Sequence, residues 1–164
     1  MRKMEVFFDY SCPYCLTGHE YLVELIPQYP DIEIIWRPCE AHPRPEEYHR
    51  YSDLCVAGLF YAFEKNIDIW DFHMRMYLAA CKDGINIEDP VALSNVFSDI
   101  LDSADMAESL KSGKYNQAVL DANDYAYEKN DVWYVPAFRM DGKKLNAIGG
   151  VGITKKELSE FMKS

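Results

Sequence analysis

The 164-residue sequence has no run approaching the roughly 20 apolar residues that a membrane-spanning helix requires. Its first apolar stretch follows Arg2 and Lys3 but stops at Asp9, too short for the core of a signal peptide. Positive charge is scarce: 17 Lys and Arg stand against 27 Asp and Glu, a net charge of -10. That balance argues against nucleic acid or anionic membrane as a partner and is explained by solubility. Between about residues 46 and 129 there is no glycine-rich phosphate loop, Ser/His/Asp array or repeat. None of the four histidines sits in a catalytic motif; His19 falls near the face of the first helical segment, and His42, His49 and His73 read as surface or lid residues. Five cysteines make an odd count, which excludes a complete internal disulfide framework. The expectation is a cytoplasmic protein, where paired cysteines serve catalysis more often than they serve as staples.

What the chain does have is Cys12-Pro13-Tyr14-Cys15, and its flanks give it meaning. Upstream, Met4 to Tyr10 reads as a short buried strand; downstream, Leu16, Leu22, Val23 and Ile26 recur at helical spacing up to Pro27. The pair therefore falls where a strand enters a helix. A helix's first turn has unpaired N–H groups and partial positive charge, which favour a thiolate at Cys12. Cys15, one turn on, is placed to reach the first sulfur, so the motif reads as a dithiol with Cys12 attacking and Cys15 resolving. Two other readings stand beside it. Cys12, Cys15, Cys39 and His42 have the paired spacing of a zinc-binding module, although Leu16 replaces the glycine that usually follows the second cysteine of a zinc knuckle. Simple packing is the other, and it suits Cys55 and Cys81, which recur with apolar residues at helical intervals. Cys39 follows the apolar run Ile32 to Trp36, at the strand end that shares a side with the Cys12 turn if the two strands are parallel.

The rest of the pattern is α/β. A strand, a helix and the strand near Ile32 to Arg37 make one βαβ unit, followed by a proline-marked loop and a helical stretch from about 46 to 129. Asp89-Pro90 reads as a helix start, and Gly84 and Gly113 as helix stops. Strand character returns at Ala137–Met140 and Lys144–Ile148 around Asp141-Gly142, a hairpin signal. A capping box at Thr154–Glu157 opens the last helix, which buries Leu158, Phe161 and Met162. The expected organisation is residues 1–45 and 130–164 as an α/β domain, with 46–129 as an inserted helical domain.

This order, with CPYC in the first turn and Pro136 before the third strand, resembles the thioredoxin superfamily, specifically its DsbA-like branch and within that the FrnE-like group of dithiol-disulfide oxidoreductases. The resemblance rests on Asp9 to Cys15, Trp36-Arg37-Pro38-Cys39-Glu40, Ala57 to Phe60 and Val135 to Phe138, and spans almost the whole chain. It implies a thioredoxin-like fold and a cis bond at Val135–Pro136, with Pro13, Tyr14, Val135 and Pro136 forming the substrate surface beside the sulfurs. Two positions depart from the pattern: Tyr134 stands where a glycine is usual, narrowing the substrate groove, and Cys39 stands where an aromatic is usual. No histidine lies between the cysteines, and CPYC is also the glutaredoxin pair, so the expected potential is intermediate and the resting state a dithiol that reduces or isomerises disulfides. Substrates would be disulfide-containing proteins or small thiols, with a cellular thiol reductant, glutathione or a protein, and no bound cofactor or metal. A glutathione-dependent isomerase or transferase on the same fold is the remaining alternative, although that branch generally carries serine at the position of Cys12.

Overall fold

The computed structural model describes all of residues 1–164. Its strands are β1 (Arg2–Phe8), β2 (Ile32–Pro38), β3 (Ala137–Met140) and β4 (Lys143–Asn146). They form one sheet in the order β2-β1-β3-β4, with β1 and β2 parallel and the other two pairs antiparallel. The helices are α1 (Pro13–Leu25), α2 (Asp53–Glu64), α3 (Ile69–Cys81), α4 (Pro90–Asn95), α5 (Ser103–Lys111), α6 (Asn116–Asp124) and α7 (Lys155–Lys163). The fold is mixed α/β and thioredoxin-like.

Central strand β1 is covered on both faces, so consecutive residues Phe7 and Phe8 are both buried. They point to opposite sides, as strand geometry requires. Phe7 stacks on Tyr125, which lies in a single π-helical turn (Tyr125–Lys129) continuing α6. Phe8 instead meets Trp36 of β2 and His73 and Tyr77 of α3. The two layers belong to one continuous cluster of 39 buried apolar residues.

Local signals operate as the sequence suggests. Asp89 caps α4 through Val91 N–H with Pro90 following, and Thr154 and Glu157 form both halves of the capping box of α7. Gly84, Gly113 and Gly142 adopt positive φ at chain reversals. Three expectations are corrected. Val23 is 42% exposed, because α1 turns Leu22 and Leu25 inward instead. β4 ends at Asn146, and Ile148 bridges to Gly152 rather than continuing the hairpin. His73 is no surface residue: it is fully buried, and its Nδ1 shares a 2.6 Å hydrogen bond with the hydroxyl of Tyr10.

His73 belongs to a layer of rings between α1, β2 and α3. Its centroid lies 4.1 Å from that of Trp36 and 5.4 Å from that of His19, which is also buried. The Nε2 atoms of both histidines have no hydrogen-bond partner. Burial pushes the His19 imidazole down to about 4 and His73 well below its ordinary value, so both are neutral in the folded protein. The unfolded chain binds protons at these residues below about pH 6.5, whereas folded His19 does not until about pH 4. Their contribution is therefore complete above pH 6.5 and is lost as the pH falls. His19 should cost about 2 kcal/mol between pH 7 and 5, and His73 should add to the loss in the same direction. Urea unfolding at those two pH values is the measurement, and His19→Gln should show a clearly smaller acid loss than the wild type.

Candidate functional site

The C-terminal end of β1 delivers the chain to the site. After Phe8, Asp9 turns inward and is only 2% exposed. Its Oδ1 accepts from the N–H and Oγ of Ser11, both at 2.8 Å, and its Oδ2 accepts from Ala41 N–H at 2.8 Å and Ser52 Oγ at 3.0 Å. Those four bonds satisfy a buried carboxylate and pin the turn that presents Cys12.

Cys12 is the N-cap of α1, with Pro13 at the first helical position, where its missing N–H costs nothing. No side-chain oxygen caps this helix and no acidic residue occupies its first turn. The cap position belongs to sulfur. The Cys12 thiol is held below its ordinary value chiefly by the hydrogen bond from the Cys15 thiol, with the backbone N–H groups of Cys15 and Tyr14 adding to the effect; partial burial and the charge of Asp9 oppose it. Cys15 behaves in the reverse way. It is 1% exposed, and burial pushes its thiol far up. The two cysteines approach to 3.4 Å with both thiols free. One thiol is shifted toward the thiolate, and the other is a shielded donor.

Val135 and Pro136 reach the site from across the sheet. The Cys12 thiol faces the Val135 carbonyl oxygen at 3.8 Å, and the Val135–Pro136 bond is cis. Pro136 packs on α1 at Gly18, where an added Cβ would lie 3.0 Å from the proline ring. Pro13 and Tyr14 form the outer lip, with Tyr14 Oη donating to Gly150 O at 2.9 Å. Above Cys12 lies a cleft of about 300 Å³ bordered also by His42, Tyr48, Tyr127, Trp133 and Tyr134. All six residues expected at the site, Cys12, Pro13, Tyr14, Cys15, Val135 and Pro136, thus gather at one end of the sheet.

The remaining cysteines do not join the pair. Cys39 is fully buried, its Sγ donates to Phe8 O at 3.6 Å, and burial pushes its thiol to about 12. Cys55 is buried in α2. Cys81 is only half-buried, a correction to its reading as a core residue, and its thiol donates to Tyr10 O at 3.1 Å. The four side chains of the zinc alternative do not converge. His42 pairs instead with Glu46 Oε1 at 2.7 Å, and no group of three or more His, Cys, Asp or Glu residues has metal-binding geometry.

A profile of the DSBA-like thioredoxin domain matches residues 3–157. The chain belongs to the DsbA-like thioredoxin family. Uncharacterized protein YwbO of Bacillus subtilis (strain 168) is 24% identical over a 196-residue alignment covering 98% of this chain and 97% of that protein. Among solved structures, a probable DsbA oxidoreductase from Streptomyces coelicolor superposes with a TM-score of 0.81 at 13% identity, covering 99% of this chain and 89% of that one. BdbD from Bacillus subtilis, in its oxidised form, gives 0.73 at 15% identity over 99% and 85%. At these identities the structural likeness is one of fold. No helix of this DsbA-like chain is long and apolar enough to cross a membrane.

Two residues of the site were given no role from the sequence. Asp9 was visible only as part of a motif, and Tyr127 enters the cleft from the π-helical turn, where its hydroxyl donates to Glu40 O. π-helical turns of this kind are often found at functional sites, yet no residue type announces them. The asymmetry of the two thiols leads to a direct measurement. Iodoacetamide should label Cys12 first, with a pH midpoint below that of an ordinary thiol, while Cys15 and Cys39 stay unlabelled in the folded protein; faster labelling at either would reverse the assignment.

Proposed function

We propose that the protein is a thiol-disulfide oxidoreductase in which Cys12 is the nucleophile and Cys15 the resolving thiol. The observation that carries this reading is the pairing of a half-buried, thiolate-favouring Cys12 with a buried, proton-holding Cys15 at 3.4 Å. The Cys12 thiolate attacks one sulfur of a substrate disulfide, breaking its S–S bond, forming a mixed disulfide and releasing one substrate thiolate. Cys15 then loses its proton and attacks Cys12 Sγ. This forms the Cys12–Cys15 disulfide, releases the second substrate thiol and leaves the substrate reduced by two electrons. A cellular thiol reductant restores the dithiol.

The backbone of Val135 supports a substrate-binding role, because its carbonyl lies beside Cys12 and Pro136 offers no N–H to compete for an extended partner. Pro13 and Tyr14 would flank the entering disulfide. The uncharged Pro-Tyr gap adds no cation beside the thiolate, which favours an intermediate potential and a reducing or isomerising role in a reducing cytoplasm. The segments around Cys12, Pro38 and Pro136 support placement in the FrnE-like group.

Removal of Cys15 should leave the first step and block the second. Cys15→Ser is expected to accumulate mixed disulfides through Cys12 that non-reducing electrophoresis resolves, and Cys12→Ser to lose insulin disulfide reduction by at least a hundredfold. Wild-type turnover in Cys12→Ser would remove the nucleophile assignment.

A further inference from the structure

The walls of the cleft are selective in a way that the cysteines are not. Of its 14 lining residues none is Lys, Arg, Asp or Glu, whereas Tyr14, Tyr48, Tyr127, Trp133 and Tyr134 contribute aromatic rings. Only His42 could carry positive charge, and its ring lies flat on Tyr48 with centroids 3.8 Å apart. The carboxylates attached to the rim are Glu46, paired with His42, and Asp131, which accepts from the Trp133 indole at 3.0 Å. Both belong to a chain of net charge -10.

The rings are exposed but held. Trp133 is 80% exposed and Tyr134 58%, and Ile148 and Val151 extend the apolar surface at 64% and 65%. A hydrogen bond to Asp131 orients the Trp133 indole. Tyr134 lies over Gly149, where an added Cβ would come within 2.7 Å of its ring, and Tyr14 lies over Gly152 with its hydroxyl tied to Gly150 O. Folding gains little from apolar rings left in water, so a contiguous group of them beside a reactive sulfur marks a contact surface. Rings already fixed lose little entropy when a partner covers them.

Resting on the oxidoreductase reading, we propose that this cleft selects cysteines in extended polypeptide segments with an aromatic or large aliphatic neighbour, and discriminates against glutathione and acidic peptides. Trp133 and Tyr134 are the specificity-determining residues. An aromatic side chain next to the reacting cysteine would cover the Trp133–Tyr134 surface while its own backbone lies along Val135. Glutathione brings two carboxylates and no large apolar group. Entering the cleft would desolvate those charges with only His42, already paired with Glu46, to receive them, and beside the carboxylates of Glu46 and Asp131. The reaction itself is unchanged: one substrate S–S bond breaks, the Cys12–Cys15 bond forms, and two electrons pass to the substrate.

The test measures how fast the reduced protein is oxidised by symmetric disulfides of the peptides Gly-X-Cys-X-Gly, with X as Phe, Ala or Glu, and by glutathione disulfide. Each rate is divided by that of dithiothreitol with the same compound, which removes intrinsic charge effects on exchange. The Phe peptide should exceed the Ala peptide at least tenfold, and the Glu peptide and glutathione disulfide should fall below Ala. Trp133→Ala with Tyr134→Ala should abolish the Phe advantage while iodoacetamide still alkylates Cys12 readily. The single Trp133→Ala, at a residue outside the core, should reduce that advantage without loss of fold. Glutathione disulfide as fast as the Phe peptide, or an advantage that survives both substitutions, would overturn the proposal and leave the dithiol mechanism standing. A dithiol that none of these disulfides oxidises would instead overturn the oxidoreductase reading and this one with it.

Discussion

The buried carboxylate of Asp9 is the constraint on which the site depends. Its two oxygens join the turn after β1, through Ser11, to the loop after β2, through Ala41, and to the residue that precedes α2, Ser52. Three segments far apart in sequence thus meet on one side chain. An ionised carboxylate removed from water is tolerated only when its lone pairs are occupied, so the four donors are a condition of the fold as well as a product of it. The cost appears at Cys12, whose thiolate feels the negative charge of Asp9. That the Cys12 thiol still lies below its ordinary value shows which effect wins: the Cys15 thiol and the two backbone N–H groups outweigh both that charge and partial burial.

The same geometry separates two sulfurs of identical chemistry. Cys12 caps the helix and looks into the cleft; Cys15, one turn later, faces the core, near the N–H of Asp9 at 3.5 Å. Burial of Cys15 keeps a proton on it, and that proton is what the Cys12 sulfur accepts. Each thiol therefore sets the other's state, and neither pKa belongs to its residue alone. Once Cys12 is bonded to another sulfur its charge is gone, and the charge-repulsion and hydrogen-bonding causes that hold the Cys15 proton are removed with it. Only desolvation and the field of Asp9 are then left to oppose ionisation of Cys15.

Much of this was legible in the sequence because it is local. The strand-to-helix junction at Cys12, the capping box at Thr154 and the hairpin at Asp141-Gly142 depend on neighbours within a few residues, and all appear where the patterns put them. The gathering of Pro136 with Cys12 followed from family likeness rather than periodicity. What escaped was pairing over long separations. His73 read as a surface or lid residue because its polarity was visible and its partner, Tyr10, lies 63 positions away. Val23 shares the helical stripe yet is 42% exposed, because a stripe fixes the spacing of apolar residues but not the width of the face that a neighbour covers.

The helices between β2 and β3 do more than cover the sheet. From α3, His73 holds the Tyr10 hydroxyl and Cys81 donates to the Tyr10 carbonyl, so one helix grips side chain and backbone of the residue that follows Asp9. From beyond α6, the π-helical turn sends Tyr125 to Glu5 and Arg37 on the sheet, and Tyr127 to Glu40 beside Cys39. An α-helical turn would rotate successive side chains by about 100°, whereas a π turn has wider spacing and re-aims the residues that follow it. Tyr125 and Tyr127, two residues apart, leave different sides of the turn, one anchoring it to the strands and the other forming a wall of the cleft. The shape of the opening above Cys12 is thus set jointly by the sheet, which fixes the sulfurs and Val135, and by the helical segment, which closes one side with an aromatic ring.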